Sequence, residues 1–210
     1  MIRLQNSLAA ALLLSVTTSL VAQLPVQFRG TIEKLAKSER CSPKATHRIK
    51  CTNTLLFGAK GVDLKSREGQ TVLIKGTLRI APCLTIEASS VESTRFTYRI
   101  SSNGSGKFKL GETVSFRTRG PFLSLMPFVL AGGTTFVPLS TYGALQLDPL
   151  SSVLFETNLA IFGTKTIRIK IPNDKSLVGA RIFGQGAYIR ALPSVAGEFL
   201  NVDCFQIRAR

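Results

Sequence analysis

The sequence predicts an all-β chain, a small antiparallel barrel followed by an antiparallel β-sandwich. Three observations carry this. Ile167, Ile169 and Ile171 alternate with Arg168 and Lys170, the two-residue period of a strand with one buried face. Pro172, Asn173-Asp174 and Gly179 then punctuate the chain, with a capped turn between this strand and the next, Ala180 to Ile189, which is spaced by Gly184 and Gly186. Between Val26 and Ile100 no stretch keeps a helical period.

In chain order, residues 1–22 come first. Arg3, an apolar run from Leu8 to Ala22 and small residues at its end have the layout of a secretory signal peptide cleaved near Ala22. The run is short for a bilayer span, and no cysteine follows it until Cys41, so export without a lipid anchor is expected. The predicted location is secreted, periplasmic or cell-envelope, with no transmembrane segment in the mature chain.

Residues 23–100 are expected to form the barrel. Val26 to Leu35 reads as a strand bent at Gly30, with Phe28 and Ile32 inward and Arg29 and Thr31 outward. His47 to Phe57 reads as one strand with Ile49 and Cys51 inward and Arg48 and Lys50 outward. After a turn at Glu68-Gly69-Gln70, Val72, Ile74, Leu78 and Ile80 point in and Lys75 and Arg79 out, with a bulge at Gly76. Pro82-Cys83 opens a strand with Leu84 and Ile86 inward, and Phe96 to Ile100 closes the set.

The run from Val62-Asp63-Leu64 through Gly69-Gln70-Thr71-Val72-Leu73-Ile74-Lys75-Gly76 to a Cys-initiated strand resembles OB-like modules of exported bacterial proteins. IPNDKSLVGARIFGQGAYI, with a final strand after it, is similar to a companion β-sandwich module in uncharacterised secreted bacterial proteins of this two-module kind. The resemblance implies a fold and a compartment. It implies no catalytic residues and no cofactor.

Ser101 to Gly106, SSNGSG, is small and polar and reads as a linker. Residues 107–210 then supply the sandwich. Phe108, Leu110, Val114 and Phe116 are apolar positions around a Gly111-Glu112 turn. No charge occurs from Pro121 to Leu147, but Pro121, Pro127, Gly132, Gly133 and Pro138 divide that run into pieces suited to interior strands. Tyr142 to Asp148 and Ser152 to Phe162 add two more. The last strand, Phe199 to Ile207, shifts phase between Val202 and Phe205, which predicts a bulge turning Cys204 from the core.

Function is less legible than fold. With 27 Lys and Arg against 12 Asp and Glu, the chain carries +15, a whole-surface excess that attracts anionic polymers or headgroups. His47, the only histidine, has no Gly-x-Ser-x-Gly elbow to serve and is expected to be a strand histidine held by a backbone partner. The acids are scattered beside Lys and Arg, so paired carboxylates for hydrolysis are not expected, and Asn173-Asp174 reads as a cap rather than a calcium site. The leading expectation is a non-enzymatic exported protein with a structural, adhesive or envelope-associated binding role. A second is a binding module for acidic polymers, nucleic acid or polysaccharide, through Arg29, Arg48, Lys50, Lys75 and Arg79 on the barrel exterior. A hydrolase is the remote third. Trp is absent, so neither base stacking nor a sugar platform has an obvious source.

Cys41, Cys51, Cys83 and Cys204, without any Cys-x-x-Cys, point to disulfides rather than a metal. Cys51 in phase with Ile49 and Cys83 out of phase with Leu84 face opposite ways, which argues against bonding them together. Cys41 can reach either. The short loop favours Cys41 with Cys51, leaving Cys83 and Cys204 to clamp the two halves if they meet.

Overall fold

Fifteen strands and four short 3-10 turns make up the computed structural model, which describes residues 23–101, 106–190 and 195–209. The expected signal peptide and residues 102–105 of the expected linker lie outside the described residues.

The barrel contains β1 (Leu24–Lys34), β2 (His47–Ile49), β3 (Leu55–Gly58), β4 (Thr71–Arg79) and β5 (Thr85–Ser93), closed in the order β1-β2-β3-β5-β4. The bent β1 serves both sides of the closure, pairing Ile32 with Ile49 on β2 and Leu24 through Thr31 with Leu78 through Thr71 on β4. Alternation fills the interior: Phe28, Ile32, Ile49, Leu56, Val72, Ile74, Leu78 and Ile86 form one buried cluster. At Gly76 the β4–β5 register shifts, and a Cβ there would collide with the carbonyl of Glu87, so the bulge requires glycine.

Five expectations for the barrel are corrected. His47 to Phe57 is a hairpin, not one strand. Thr52 Oγ1 donates to Ile49 O at 3.0 Å and accepts from Thr54 N–H, which folds Lys50–Asn53 into a turn. Cys51 takes φ 65° within that turn and so leaves the phase of Ile49. Ile80 lies beyond the end of β4 at a bend before Pro82 and is 56% exposed. β3 and β5 are parallel, so the barrel is not wholly antiparallel. Finally, β6 (Thr97–Ser101) pairs with the second half, because β4 already supplies the strand that closes on β1.

The second half contains β7 (Lys107–Lys109), β8 (Thr113–Arg119), β9 (Ser124–Ala131), β10 (Thr134–Pro138), β11 (Ala144–Leu147), β12 (Ser152–Ala160), β13 (Thr164–Lys170), β14 (Arg181–Arg190) and β15 (Ala196–Arg208). A five-stranded sheet β12-β9-β14-β15-β7 faces a three-stranded sheet β13-β8-β6, with β10-β11 as a separate hairpin. Between the sheets lie Tyr98, Phe108, Val114, Phe116, Phe128, Ile167 and Phe205, with Phe116 and Phe128 ring centroids 4.9 Å apart. β7 joins β15 in parallel. Asp174 caps the expected turn by accepting from Ser176 N–H, and Gly179 ends it at φ 89°. The register shift of β15 falls opposite Gln185–Ala187, at Leu200 to Val202, earlier than the expected bulge. Leu200 and Val202 therefore belong to different clusters while pairing from Val202 to Gln206 is regular.

The cysteines pair as Cys41–Cys83 and Cys51–Cys204, with Cα separations of 5.9 and 5.8 Å. The first ties the β1–β2 connection to the entry of β5. The second joins the barrel to β15, so the clamp exists but with Cys51 in place of Cys83. The positive φ of Cys51 is the reason: it carries the sulfur out of the barrel and toward β15. Cys51 packs there with Ala131, Leu147, Phe183 and Val202 in a third buried cluster.

Candidate anion-binding face

Each of the five barrel cations singled out in the sequence has a carboxylate partner. Arg29 faces away from the barrel interior but is only 7% exposed, because β15 and the β10-β11 hairpin lie against β1. Its guanidinium reaches Glu198 Oε2 at 2.6 Å, bonds Thr94 Oγ1 and stands 5.5 Å from the Phe96 ring centroid. Arg48 pairs with Glu33 at 2.7 Å, Lys50 with Asp203 at 2.9 Å, Lys75 with Glu92 at 2.7 Å and Arg79 with Glu87 at 2.7 Å. Exposed pairs of this kind add little stability, but each cancels a positive charge locally. The Lys75 ammonium also holds the Glu92 carboxyl below its usual range.

Most remaining carboxylates are spent on turns. Asp63, Asp148 and Asp174 each accept from a backbone N–H two residues on, and Glu112 accepts from Lys109 N–H. His47 Nε2–H donates to Glu68 Oε1 at 3.1 Å, and its Nδ1 bonds the Thr46 hydroxyl at 2.8 Å. Its partners are thus side chains rather than the expected backbone group. Among the described residues no group of three His, Cys, Asp or Glu side chains could hold a metal.

Positive charge without compensation collects elsewhere. On β8, Arg117 and Arg119 are exposed and alternate with buried Phe116 and Thr118; on β13, Arg168 and Lys170 are exposed and flank the inward-facing Ile169. Antiparallel register sets Thr164 beside Arg119, Thr166 beside Arg117 and Ser115 beside Arg168. The outer face of the three-stranded sheet therefore presents arginines about 6.8 Å apart along β8, with hydroxyls beside them on β13. Hydroxyls and guanidinium groups are the side-chain donors that satisfy phosphate, sulfate and carboxylate oxygens. None of Arg117, Arg119, Arg168 or Lys170 has a carboxylate partner among the described residues.

One end of this face runs into a cleft of about 540 Å³ lined by Arg95, Arg117, Arg119 and Arg190 together with Phe96, Phe122 and Phe162. Two chain crossings build its rim. The β8–β9 connection and the β12–β13 connection lie side by side, joined by Gly120 N–H to Gly163 O at 2.8 Å and Leu123 N–H to Ile161 O at 3.4 Å. Arg190 Nε is shielded from solvent and has no acceptor among the described residues. The cleft wall thus carries an unspent donor, a group that is costly to leave unpaired.

A sequence signal for this face did exist. Residues 93–111, 113–147 and 157–173 hold no Asp or Glu, and these are the segments that supply β6, β8 and β13. Net charge summed over whole halves conceals that segregation. The periodicity of Arg168 and Lys170 was visible, but the sheet that joins them to Arg117 and Arg119 depends on long-range pairing.

Among the described residues no helix is long and apolar enough to cross a membrane. No family model matches the chain, no curated protein matches it in sequence, and nothing in these comparisons points to an enzyme.

Proposed function

We propose that the protein is an exported, non-enzymatic binding protein that attaches to an anionic component of a cell envelope or its surroundings. The contact is the outer face of β6-β8-β13, not the barrel. The observation that carries this reading is the contrast in pairing: Arg29, Arg48, Lys50, Lys75 and Arg79 each have a carboxylate within 2.9 Å, whereas Arg117, Arg119, Arg168 and Lys170 have none among the described residues. Two disulfides suit an oxidising compartment, in keeping with export.

The test compares two triple variants that remove the same charge. Arg117→Ser/Arg119→Ser/Arg168→Ser is expected to elute from a heparin column at clearly lower salt than the unaltered protein. The salt slope of binding should fall by about 0.7–0.9 for each lost contact. Arg48→Ser/Lys75→Ser/Arg79→Ser should elute close to the unaltered protein, because those cations are already neutralised. Equal shifts for the two variants would show that net charge alone drives retention and would remove the face from the proposal.

A further inference from the structure

The basic cleft adjoins a group of exposed apolar side chains. Phe122 and Leu123 project from the β8–β9 crossing at 59% and 49% exposure, and Ile161 and Phe162 from the β12–β13 crossing at 51% and 85%. Behind them Leu159, Leu125 and Ile189 stand in one cross-strand row on β12, β9 and β14, all exposed. Large apolar side chains concentrated at neighbouring loop tips are unusual for a surface that meets only water. Here they sit directly above four arginines.

Resting on the anion-binding reading above, we propose that this end of the sandwich docks on a bilayer surface bearing anionic lipid headgroups. The two crossings enter the acyl boundary and Arg95, Arg117, Arg119 and Arg190 engage the headgroup phosphates. Charge complementarity and the layered order of the groups commit the surface to this occupant. Apolar tips lie outermost, arginines lie immediately behind them, and the hydroxyl-lined basic sheet continues away, the order in which a bilayer presents its acyl boundary and its phosphates. Arginine suits the intermediate position because its stem tolerates an apolar surround while the guanidinium stays with phosphate.

Other occupants fit less well. A second copy would place the same four arginines against each other, and like charges across an interface are repulsive. A nucleic-acid strand would find phosphate donors and the Phe122 and Phe162 rings, but most of the exposed side chains here are aliphatic and offer no stacking face.

The chain contains no tryptophan, so Phe162→Trp introduces a single reporter at the most exposed aromatic position. With phosphatidylcholine vesicles containing phosphatidylglycerol, its emission is expected to shift to the blue and become shielded from an aqueous quencher. Pure phosphatidylcholine vesicles should leave it unchanged. In sedimentation with the anionic vesicles, Phe122→Ser/Phe162→Ser should lower partitioning by about tenfold or more while eluting from heparin at the salt of the unaltered protein. Arg117→Ser/Arg119→Ser should weaken both. Circular dichroism and thermal melting of each variant confirm folding, and Phe122→Leu/Phe162→Leu, which keeps the apolar tips, should retain vesicle binding.

Three results would overturn the proposal. Retention on heparin or on a single-stranded oligonucleotide without vesicle binding would assign the face to a soluble polymer and leave the anion-binding reading standing. Vesicle binding without a blue shift, and indifferent to the Ser tip variant, would reduce the contact to surface charge. Loss of all binding to heparin and vesicles in the unaltered protein would defeat this proposal and the anion-binding reading together.

Discussion

The hydroxyl of Tyr98 is a buried polar atom without a hydrogen-bond partner among the described residues. The residue is fully buried, and its ring lies 5.4 Å from Phe128. Burial, with the Asp203 charge adding to it, pushes the phenol well above its ordinary value. What holds Tyr98 is its backbone: its N–H donates to Asn201 Oδ1 at 2.9 Å and its carbonyl accepts from Asn201 Nδ2 at 2.8 Å. Deleting an unpaired buried hydroxyl removes a desolvation penalty without breaking a bond, so Tyr98→Phe is expected to leave stability unchanged or raise it by up to about 1 kcal/mol. Urea denaturation measures this, and a clear loss would mean that the hydroxyl has a partner. Gly184 belongs to the same argument, since a Cβ there would overlap the Tyr98 hydroxyl. The glycine spacing of Ala180 to Ile189 was visible in the sequence; that it makes room for a tyrosine from another sheet was not.

At the scale of elements, strands were legible wherever one face is buried, because alternation is then imposed by the core. β13, β8 and β4 show it plainly through Ile167, Phe116 and Ile74. The hairpin within His47–Phe57 was not legible, since Ile49 and Leu55 are both apolar and the turn between them depends on a threonine hydroxyl rather than on Gly or Pro. The turn before β14 was legible because Asp174 caps it. Hydrogen bonds from Ser176, first from its backbone N–H, hold the Asp174 carboxyl below 3.8, and bonds from Ser66 do the same for Asp63. A carboxyl depressed in the folded state contributes stability that is present above the unfolded value and lost as pH falls through the folded one. Both groups are exposed, so the effect is small. Asp174→Asn, which keeps the acceptor but not the charge, should therefore lower the urea midpoint slightly at neutral pH and converge with the unaltered protein as pH falls through the folded value. A constant gap across that range would assign the cap's contribution to geometry alone.

At the scale of the molecule, the distribution of carboxylates determines what the surface can bind. They are concentrated on barrel cations, on turns and along the seam between the halves, which leaves Arg117, Arg119, Arg168 and Lys170 of the three-stranded sheet without a carboxylate partner among the described residues. Long-range pairing decides that outcome, so the candidate face was the part least legible in the sequence. The seam is held by several different contacts. Cys51–Cys204 and Lys50–Asp203 join the β2–β3 turn to β15, Arg29–Glu198 joins β1 to β15, and Gln146 Nε2 donates to Arg29 O at 2.8 Å. Phe136 from the β10-β11 hairpin meets Phe28 of the barrel edge to face, with centroids 4.9 Å apart and planes at 87°. Removing the covalent link by Cys51→Ser/Cys204→Ser opens a loop of 153 residues and is expected to cost about 2–4 kcal/mol. Unfolding should nevertheless remain a single transition, because the apolar contact through Phe136 and the buried Arg29–Glu198 pair still couple the barrel to the sandwich. Denaturation followed in parallel by near-ultraviolet and far-ultraviolet circular dichroism checks this. Two separated transitions in the double variant would show that the disulfide alone unites two independently stable modules.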